Sequence, residues 1–256
     1  MLEKKIIVIS DPHLSVQSGD VEDMIDFINT LDPRIHEILF LGDLFHIWAG
    51  PEKYHTSSVK MMMSCLKKYQ QQQGKTHLVV GNRDIFFKER THTDKPDHLP
   101  FTSISKDFLV LKRQDKTLVA THGDTINSLD KRYLKWRKLV RHPLFRLLFN
   151  LMPVWWVKKT MFKLETEIQN TNIEFRHEFP TEEWQQFLQS VYTEFFPHLL
   201  LAGHFHPKDP IINHYKSTTG VIVPDWNREF SYLEIDSQLE YQLCHYSSMN
   251  RQKQLS

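Results

Sequence analysis

Short apolar stretches rich in β-branched residues alternate with amphipathic stretches in the first third of the chain. The apolar stretches have the length and composition of buried strands, whereas the amphipathic ones repeat their apolar residues with helical spacing. The resulting strand–helix–strand–helix–strand order is typical of a layered α/β fold. The predicted helices are Asp20–Leu31 and Ser57–Gln72. Two further apolar runs of this kind lie later in the chain. The five predicted buried strands are Ile6–Ser10, Glu37–Leu41, Thr76–Val80, Thr117–Thr121 and His198–Ala202.

A long block with helical patterning, from about Asp130 to Phe196, interrupts the strands. Short apolar runs resume after it and follow turn residues, which predicts antiparallel pairs around Val221–Val223, Ser231–Ile235 and Glu240–Cys244. We therefore predict an α/β core with an inserted helical cap and a polar tail. The predicted core is 1–127 with 197–246, the cap insertion is 128–196, and the tail is 247–256.

Each of the five predicted buried strands runs directly into residues with metal-binding side chains. Ligands of α/β sheets bind beyond the carboxyl ends of strands, and an Asp-x-His or His-x-His spacing puts both side chains on one face of an extended segment. Nitrogen and oxygen donors without a thiolate suit Mn²⁺, Fe or Zn²⁺ better than Ca²⁺ or a structural zinc. Two such metals activate a bridging hydroxide and hold phosphoryl oxygens. The predicted ligands are Asp11, His13, Asp43, Asn82, His122, His204 and His206.

Composition narrows the class of protein. The 256 residues are 40% hydrophobic and 25% charged with a net charge of +1, so nothing global points to nucleic acid or to an acidic partner. Two cysteines cannot build a disulfide framework, which favours a reducing compartment. The sequence shows no signal-peptide pattern and no apolar run of about 18 residues, so no membrane span is expected.

The motifs D-x-H, G-D, G-N-x-D, H-G-D and G-H-x-H occur in that order between Ser10 and Pro207 and resemble those of the calcineurin-like metallophosphoesterases. The resemblance implies a two-sheet αββα sandwich of mixed sheets flanked by helices. It also implies catalytic roles for Asn82 and His122 within the metal centre. One metal would take Asp11, His13, Asp43 and His206, and the other Asp43, Asn82, His122 and His204.

A narrower resemblance is to the UDP-2,3-diacylglucosamine hydrolases of lipid A synthesis. It is carried by Ser10-Asp-Pro-His-Leu14, Gly42-Asp-Leu-Phe-His-Ile-Trp48, Gly81-Asn-Arg-Asp84 and His122-Gly-Asp-Thr125. It implies cleavage of the pyrophosphate of a UDP-linked diacylated glucosamine to UMP and a lipid sugar phosphate. It favours Mn²⁺ over the alternatives Fe and Zn²⁺. It also implies substrate contacts from the cap at Asp130, Tyr133 and Arg137.

Arg83, which follows the motif residue Asn82, narrows the chemistry. Arginine stays protonated and cannot donate a proton to an alkoxide leaving group, but its fork can hold phosphate oxygens. A phosphate leaving group is a weak base and needs little acid assistance. Arg83 is therefore predicted to be a catalytic and substrate-binding residue acting on a pyrophosphate; the alternative is a simple ion pair with Asp84.

The predicted cap is strongly basic and apolar. Residues from Lys131 to Leu164 carry ten Lys or Arg and no acid, so removing these ten charges from the net +1 leaves −9 elsewhere. Apolar helices with tryptophan and basic flanks suit an anionic bilayer or a groove for acyl chains. We therefore predict a lipid-linked nucleotide sugar as substrate and a peripheral position on the cytoplasmic face of the cell membrane. The predicted substrate contacts here are Trp155, Trp156, Lys159 and Lys163.

Three alternatives stay open at the level of sequence. The cap could simply pack on the core with a solvated basic face. Basic residues interleaved with aromatics also suit single-stranded nucleic acid, although Arg83 and the apolar cap disfavour a nuclease. The fold could serve as a non-catalytic scaffold, which would have no need of seven intact ligands. No protein partner is indicated.

Overall fold

The computed structural model describes residues 4–15, 20–46, 48, 50–84, 86–88, 99–157, 159–160 and 179–247. Two sheets form the centre of the molecule. The strands of the first sheet are β1 (Lys5–Ile9), β2 (His36–Phe40), β3 (Lys75–Val79), β4 (Ser103–Ser105), β10 (Ser231–Ile235) and β11 (Tyr241–His245). Those of the second are β5 (Leu109–Arg113), β6 (Lys116–Thr121), β7 (Leu199–Ala202), β8 (Ile211–Tyr215) and β9 (Thr218–Ile222).

Both sheets are mixed. The first has the order β11-β10-β1-β2-β3-β4, in which β1 to β4 are parallel and β10 is antiparallel to both of its neighbours. The second has the order β5-β6-β7-β9-β8, with β6, β7 and β9 parallel and the edge strands antiparallel. The parallel strands of each sheet therefore have their carboxyl ends at one edge, where the predicted ligands begin.

Helices cover both outer faces, which gives four layers. They are α1 (Asp20–Thr30), α2 (Ser57–Gln71), α3 (Lys131–Val140), α4 (Pro143–Asn150), α5 (Thr181–Phe195) and the short α6 (Trp226–Glu229), with a 3₁₀ turn at Glu52–Tyr54. Helices α1 and α2 pack on the first sheet, and α5 packs on the second.

Strand β1 shows why the predicted strands are continuous apolar runs in the sequence. Ile6 and Val8 lie in the layer between the two sheets, whereas Ile7 and Ile9 contact the helices on the outer face. Side chains of a strand alternate between its faces, so a strand that is covered on both sides is apolar at every position. The structure confirms the α/β sandwich expected from this pattern.

The last helix of the predicted cap insertion, 128–196, packs on the second sheet. Trp184, Leu188 and Val191 of α5 pack against Leu200 and Ile222. The apolar face of α5 completes the outer layer, and the domain boundary stays a prediction. Residues 161–178 of the insertion and 248–256 of the predicted tail lie outside the described residues. Among the described residues, no helix has the length and hydropathy of a membrane span.

Candidate active site

The five predicted strand ends meet at the rim that the two sheets share. Asp11 follows β1 and His204 follows β7, and His204 N donates a hydrogen bond to Asp11 Oδ2 at 2.8 Å across the gap between the sheets. His122 follows β6, and its Nδ1 donates to Leu41 O, beyond β2, at 2.7 Å. The fold therefore brings the predicted ligands of both sheets into one cluster.

The backbone of this rim is strained. Five of the seven predicted ligands adopt a positive φ between 46° and 74°, a region that costs a residue with a Cβ about 1–3 kcal/mol. Such conformations persist only where the surrounding structure holds them, and they concentrate at functional sites. These residues are Asp11, His13, Asp43, His204 and His206.

Glycine precedes a ligand in three of the motifs because the loops approach closely. Gly42 has a φ of +92°, and a Cβ there would lie 2.5 Å from His122 Nδ1 and 2.8 Å from Gly81 Cα. A Cβ on Gly203 would lie 2.6 Å from Asp11 Oδ2. Neither side chain nor backbone could give way there without moving a ligand, so larger residues are excluded.

The first group of ligands surrounds Asp11 Oδ1. His206 Nε2 lies 3.8 Å and His13 Nε2 lies 4.0 Å from this oxygen, and Asp43 Oδ2 lies 3.9 Å from His13 Nδ1. Among the described residues, neither Asp11 Oδ1 nor His13 Nδ1 has a hydrogen-bond partner, although both atoms are buried. Buried acceptors without partners are costly, and a cation would satisfy them.

The second group is tighter. Asn82 Oδ1 lies 2.9 Å from His122 Nε2 and 3.1 Å from His204 Nδ1, and the two nitrogens are 3.3 Å apart. Asp43 Oδ1 lies 3.7 Å from His122 Nε2. Adjacent ligands of one metal with bonds of about 2.1 Å are separated by about 3 Å, so these donors fit a divalent ion. Asp43 has one oxygen near each group and would help to hold an ion in either one.

The pKa values of the histidines in this cluster also indicate that the buried carboxylates attract positive charge. Burial lowers the pKa of His122, but the carboxylates of Asp43, Asp11 and Asp124 outweigh it and raise the pKa to about 9. Burial and then the charge of His122 lower the pKa of His204 to about 4. Two metal ions would take the place of the proton that the carboxylates attract. When bound, they would supply an activated hydroxide and polarise the phosphoryl oxygens.

Residues that were not predicted support the ligands from outside. Asp225 Oδ2 accepts a hydrogen bond from His206 Nδ1 at 3.1 Å. Asp84 Oδ2 accepts from Gly81 N at 3.2 Å and from Leu44 N at 3.4 Å, which joins the turns that carry Asn82 and Asp43. Asp225 follows the apolar run Val-Ile-Val-Pro, which begins in β9, so the pattern of a strand running into a ligand-type residue was present here too.

Arg83 lies at the edge of the metal cluster. Its backbone N donates to Asp43 Oδ1 at 2.8 Å, its Nε lies 3.5 Å from Asp43 Oδ2, and its NH1 lies 3.3 Å from His46 Nδ1. The side chain is 19% exposed, so part of it is accessible to a substrate. Burial and then the charge of Arg83 lower the pKa of His46 to about 4. Among the described residues, Arg83 contacts Asp43 and His46 rather than Asp84, the partner of the alternative interpretation.

Three of the predicted substrate contacts make contacts within the protein. Asp130 caps α3 by accepting from Tyr133 N at 2.9 Å. The Tyr133 hydroxyl donates to Asp124 Oδ2, and Arg137 Nε donates to the same oxygen at 2.8 Å. Asp124 lies two residues after His122, so these side chains anchor α3 to a metal-ligand loop. Their contact with substrate stays a prediction.

The remaining predicted contacts lie on the outer part of the cap. Trp155 is 69% and Trp156 is 44% exposed, and Lys159 is also exposed. Lys163 lies outside the described residues. The structure therefore separates the predicted substrate residues into Arg83, which lies beside the metal cluster, and cap residues, which do not contact it in the described contacts.

The chain belongs to the calcineurin-like phosphoesterase family, which matches residues 4–217. It is therefore a metal-dependent phosphoester hydrolase, and the resemblance predicted from its motifs is confirmed. The chain is similar to the UDP-2,3-diacylglucosamine hydrolase of Haemophilus influenzae strain PittGG, with 26% identity over 238 residues that cover 91% of this chain and 95% of the relative.

A second relative is the UDP-2,3-diacylglucosamine hydrolase of Vibrio cholerae serotype O1, with 26% identity over 248 residues that cover 93% of this chain and 97% of the relative. Among solved structures, the chain is similar to vacuolar protein sorting 29 from Cryptosporidium parvum. That match has 10% identity and a TM-score of 0.48, and it covers 97% of this chain and all of the other.

Proposed function

We propose that this hydrolase cleaves the pyrophosphate of a UDP-linked diacylated glucosamine and releases UMP and a lipid sugar phosphate. The observation that carries the proposal is the guanidinium of Arg83 beside Asp43, where the two ligand groups meet. An arginine at this position can hold phosphoryl oxygens and cannot protonate an alkoxide, which favours a phosphate leaving group. Relatives that match over nine-tenths of the chain and bear the name of this activity support the same substrate.

The docking of the cap supports a lipid substrate. Phe149 of α4 stacks on Phe86 at 4.3 Å between ring centroids, and Phe86 lies three residues after Arg83. The Tyr54 hydroxyl donates to Phe149 O at 3.1 Å and to Met152 O at 2.8 Å. The inner face of α4 thus packs against the loop that carries Arg83, and an acyl chain held by the cap would lie near the reacting phosphate.

The outer face of the cap supports a membrane as partner. Leu144, Leu147, Leu148 and Leu151 are each more than half exposed. Large exposed apolar patches are rare on monomers that have no partner. Exposed basic residues flank the patch, and both features suit an anionic lipid surface. The enzyme would then act on the cytoplasmic face of the cell membrane with Mn²⁺ in its two sites. The flanking residues are Lys131, Arg132, Lys135, Lys138 and Lys159.

The proposal is tested by incubating metal-loaded enzyme with UDP-diacylglucosamine in detergent micelles and measuring UMP. We expect release that requires a divalent metal, is highest with Mn²⁺, and falls at least tenfold when UDP-glucosamine without acyl chains replaces the substrate. Equal rates on both nucleotide sugars would show that the cap does not select lipid. Faster cleavage of single-stranded DNA than of either sugar would establish the nuclease alternative.

A further inference from the structure

The buried ring of His46 lies between two loops of the metal site. His46 N donates a hydrogen bond to Leu14 O at 3.1 Å, so backbone pairing fixes its place next to the loop of His13. The centroids of the His46 and His13 rings are 5.6 Å apart. His46 is only 6% exposed, and it is not one of the seven ligands. Because His46 lies outside the predicted ligand set, its burial at this position points to a different role.

The contact with Arg83 defines that role. Arg83 NH1 lies 3.3 Å from His46 Nδ1. A guanidinium only donates hydrogen bonds and stays protonated, so Nδ1 must be the accepting nitrogen. The proton of the neutral ring is then on Nε2. His46 therefore offers Arg83 a neutral acceptor, which orients the guanidinium without cancelling its charge.

Among the described residues, the Arg83 side chain is also restrained by Asp43. Its Nε lies 3.5 Å from Asp43 Oδ2, which is an ion pair rather than a well-formed hydrogen bond. A long side chain held at one nitrogen only could turn away from the cluster. An acceptor at NH1 restricts this rotation, while further N–H groups of the fork remain for phosphoryl oxygens.

We propose that His46 is a positioning residue, which holds the guanidinium of Arg83 beside Asp43 so that it meets the phosphoryl oxygens of the substrate. The inference rests on the role proposed above for Arg83. It does not depend on the lipid part of the substrate, so any phosphoester that the metals cleave can serve in its test.

The test is a double-mutant cycle on the metal-loaded enzyme, with UDP-diacylglucosamine and bis(4-nitrophenyl) phosphate as substrates. His46→Leu removes the acceptor and should lower kcat/KM about tenfold, the effect of losing one hydrogen bond to a charged group. His46→Asn places an amide oxygen near the position of Nδ1 and should recover most of the loss. In the Arg83→Ala background, His46→Leu should change kcat/KM by less than about twofold, because its effect passes through Arg83.

Metal content and a second histidine provide the controls. All His46 variants should retain the metal content of the parent enzyme. His77→Leu removes another buried histidine, which contacts Ser103 on the neighbouring strand β4, and should leave kcat/KM unchanged. A tenfold loss that persists in the Arg83→Ala background, or a loss of metal from His46→Leu, would overturn the inference and indicate an effect through His13.

Three further outcomes separate this inference from the proposed function. Parental kinetics of His46→Leu combined with impaired Arg83→Ala would overturn the positioning role alone. Parental kinetics of Arg83→Ala would overturn the role of Arg83 and the inference with it. The enzyme could also show the expected effects of the His46 and Arg83 variants on bis(4-nitrophenyl) phosphate and yet fail to cleave UDP-diacylglucosamine. This result would support the role of His46 and overturn the proposed substrate.

Discussion

Asp225 accepts a hydrogen bond from the Nδ1 of His206, and this contact fixes the tautomer of a predicted metal ligand. A proton held on Nδ1 leaves Nε2, which faces Asp11 at 3.8 Å, with a free lone pair. Carboxylates in this position orient the histidine ligands of many metal sites and raise their basicity. The strength of the first metal site therefore depends on a residue that would not touch the ion.

Asp225→Asn is expected to weaken metal binding about 10–100-fold, because an amide that donates to Nδ1 would move the proton to Nε2. Asp43→Ala removes the carboxylate placed between both groups and should lose both metals together with hydrolysis. The measurement is metal content after dialysis against a graded chelator. Asp236→Asn, in the turn between β10 and β11, is the control and should bind metal normally. Unchanged affinity in Asp225→Asn would contradict the orienting role.

Arg83→Ala should lower kcat about 10²–10³-fold, as the loss of one preorganised donor to a developing charge does in other hydrolases. Arg83→Lys should restore only part of the rate, since lysine lacks the fork. The measurement is steady-state kinetics with UDP-diacylglucosamine. Arg34→Ala removes an exposed arginine that pairs with Asp32 and should be silent. A full rescue by lysine would show that charge alone matters at this position.

At the scale of elements, the contacts between the cap and the core include two that reach loops of the active site. Helix α3 is held by Asp124 through Tyr133 and Arg137, and α4 is held by the stacking of Phe149 on Phe86. One contact joins the loop of His122 and the other joins the loop of Arg83. Four leucines on the outer side of the cap are exposed, and this is the surface that we propose to contact lipid: Leu144, Leu147, Leu148 and Leu151.

Replacing Trp155 and Trp156 by serine should raise KM for the diacylated substrate about tenfold, because these exposed rings would lose apolar contact with lipid. Activity on bis(4-nitrophenyl) phosphate should stay at the parental level, since the described contacts do not join these rings to the metal cluster. The same change at Ile212, an exposed apolar residue on the edge strand β8, is the control and should not affect KM.

Co-sedimentation with anionic liposomes across a salt series completes this test. Each basic residue near an anionic surface contributes about 1 kcal/mol, so binding of the parent should weaken with salt and leave a salt-resistant remainder from apolar insertion. The double tryptophan variant should lose the remainder and keep the salt-sensitive part. If the double variant keeps both the salt-sensitive and the salt-resistant binding of the parent, the tryptophans do not insert into lipid.

At the scale of the whole molecule, an ion pair crosses the space between the two sheets. Arg113 of β5 donates to Glu37 of β2, and Lys75 Nζ lies 3.3 Å from the same carboxylate, which is nearly buried. Burial raises the pKa of Glu37, but His77, Arg113 and Lys75 outweigh it and lower the pKa to about 2. Because this carboxylate joins the two sheets, its ionisation affects global unfolding.

A lowered pKa stabilises the folded state above the pKa of the unfolded chain, and the stabilisation is lost as the pH falls from about 4.5 towards about 2. Glu37→Gln should therefore be less stable than the parent at pH 7 by a few degrees in Tm, and the difference should shrink as the pH is lowered through this window. Thermal unfolding between pH 7 and pH 2.5 measures it. Glu182→Gln, on the exposed face of α5, should follow the parent; a constant difference for Glu37→Gln would contradict the assignment.

Much of the core and all seven ligand candidates could be predicted from local sequence. Strands covered on both faces appear as continuous apolar runs, and the backbone period alone makes that pattern visible. The edge strands β5 and β8 were missed because alternate residues along each are exposed and each ends in polar residues or tyrosine, so neither forms a long apolar run. The ordered recurrence of ligand types after five strands indicated the metal centre without any knowledge of distances.

Only the tertiary structure decided which residues act together. Periodicity identifies α5 as part of an amphipathic helical block, but not that its apolar face covers the second sheet rather than the cap. The partners of His206, Arg83 and Asp124 lie on elements that meet only after the chain has folded, so no local pattern could pair them. Local backbone geometry sets periodicity, whereas partner choice follows from burial and charge summed over the whole fold.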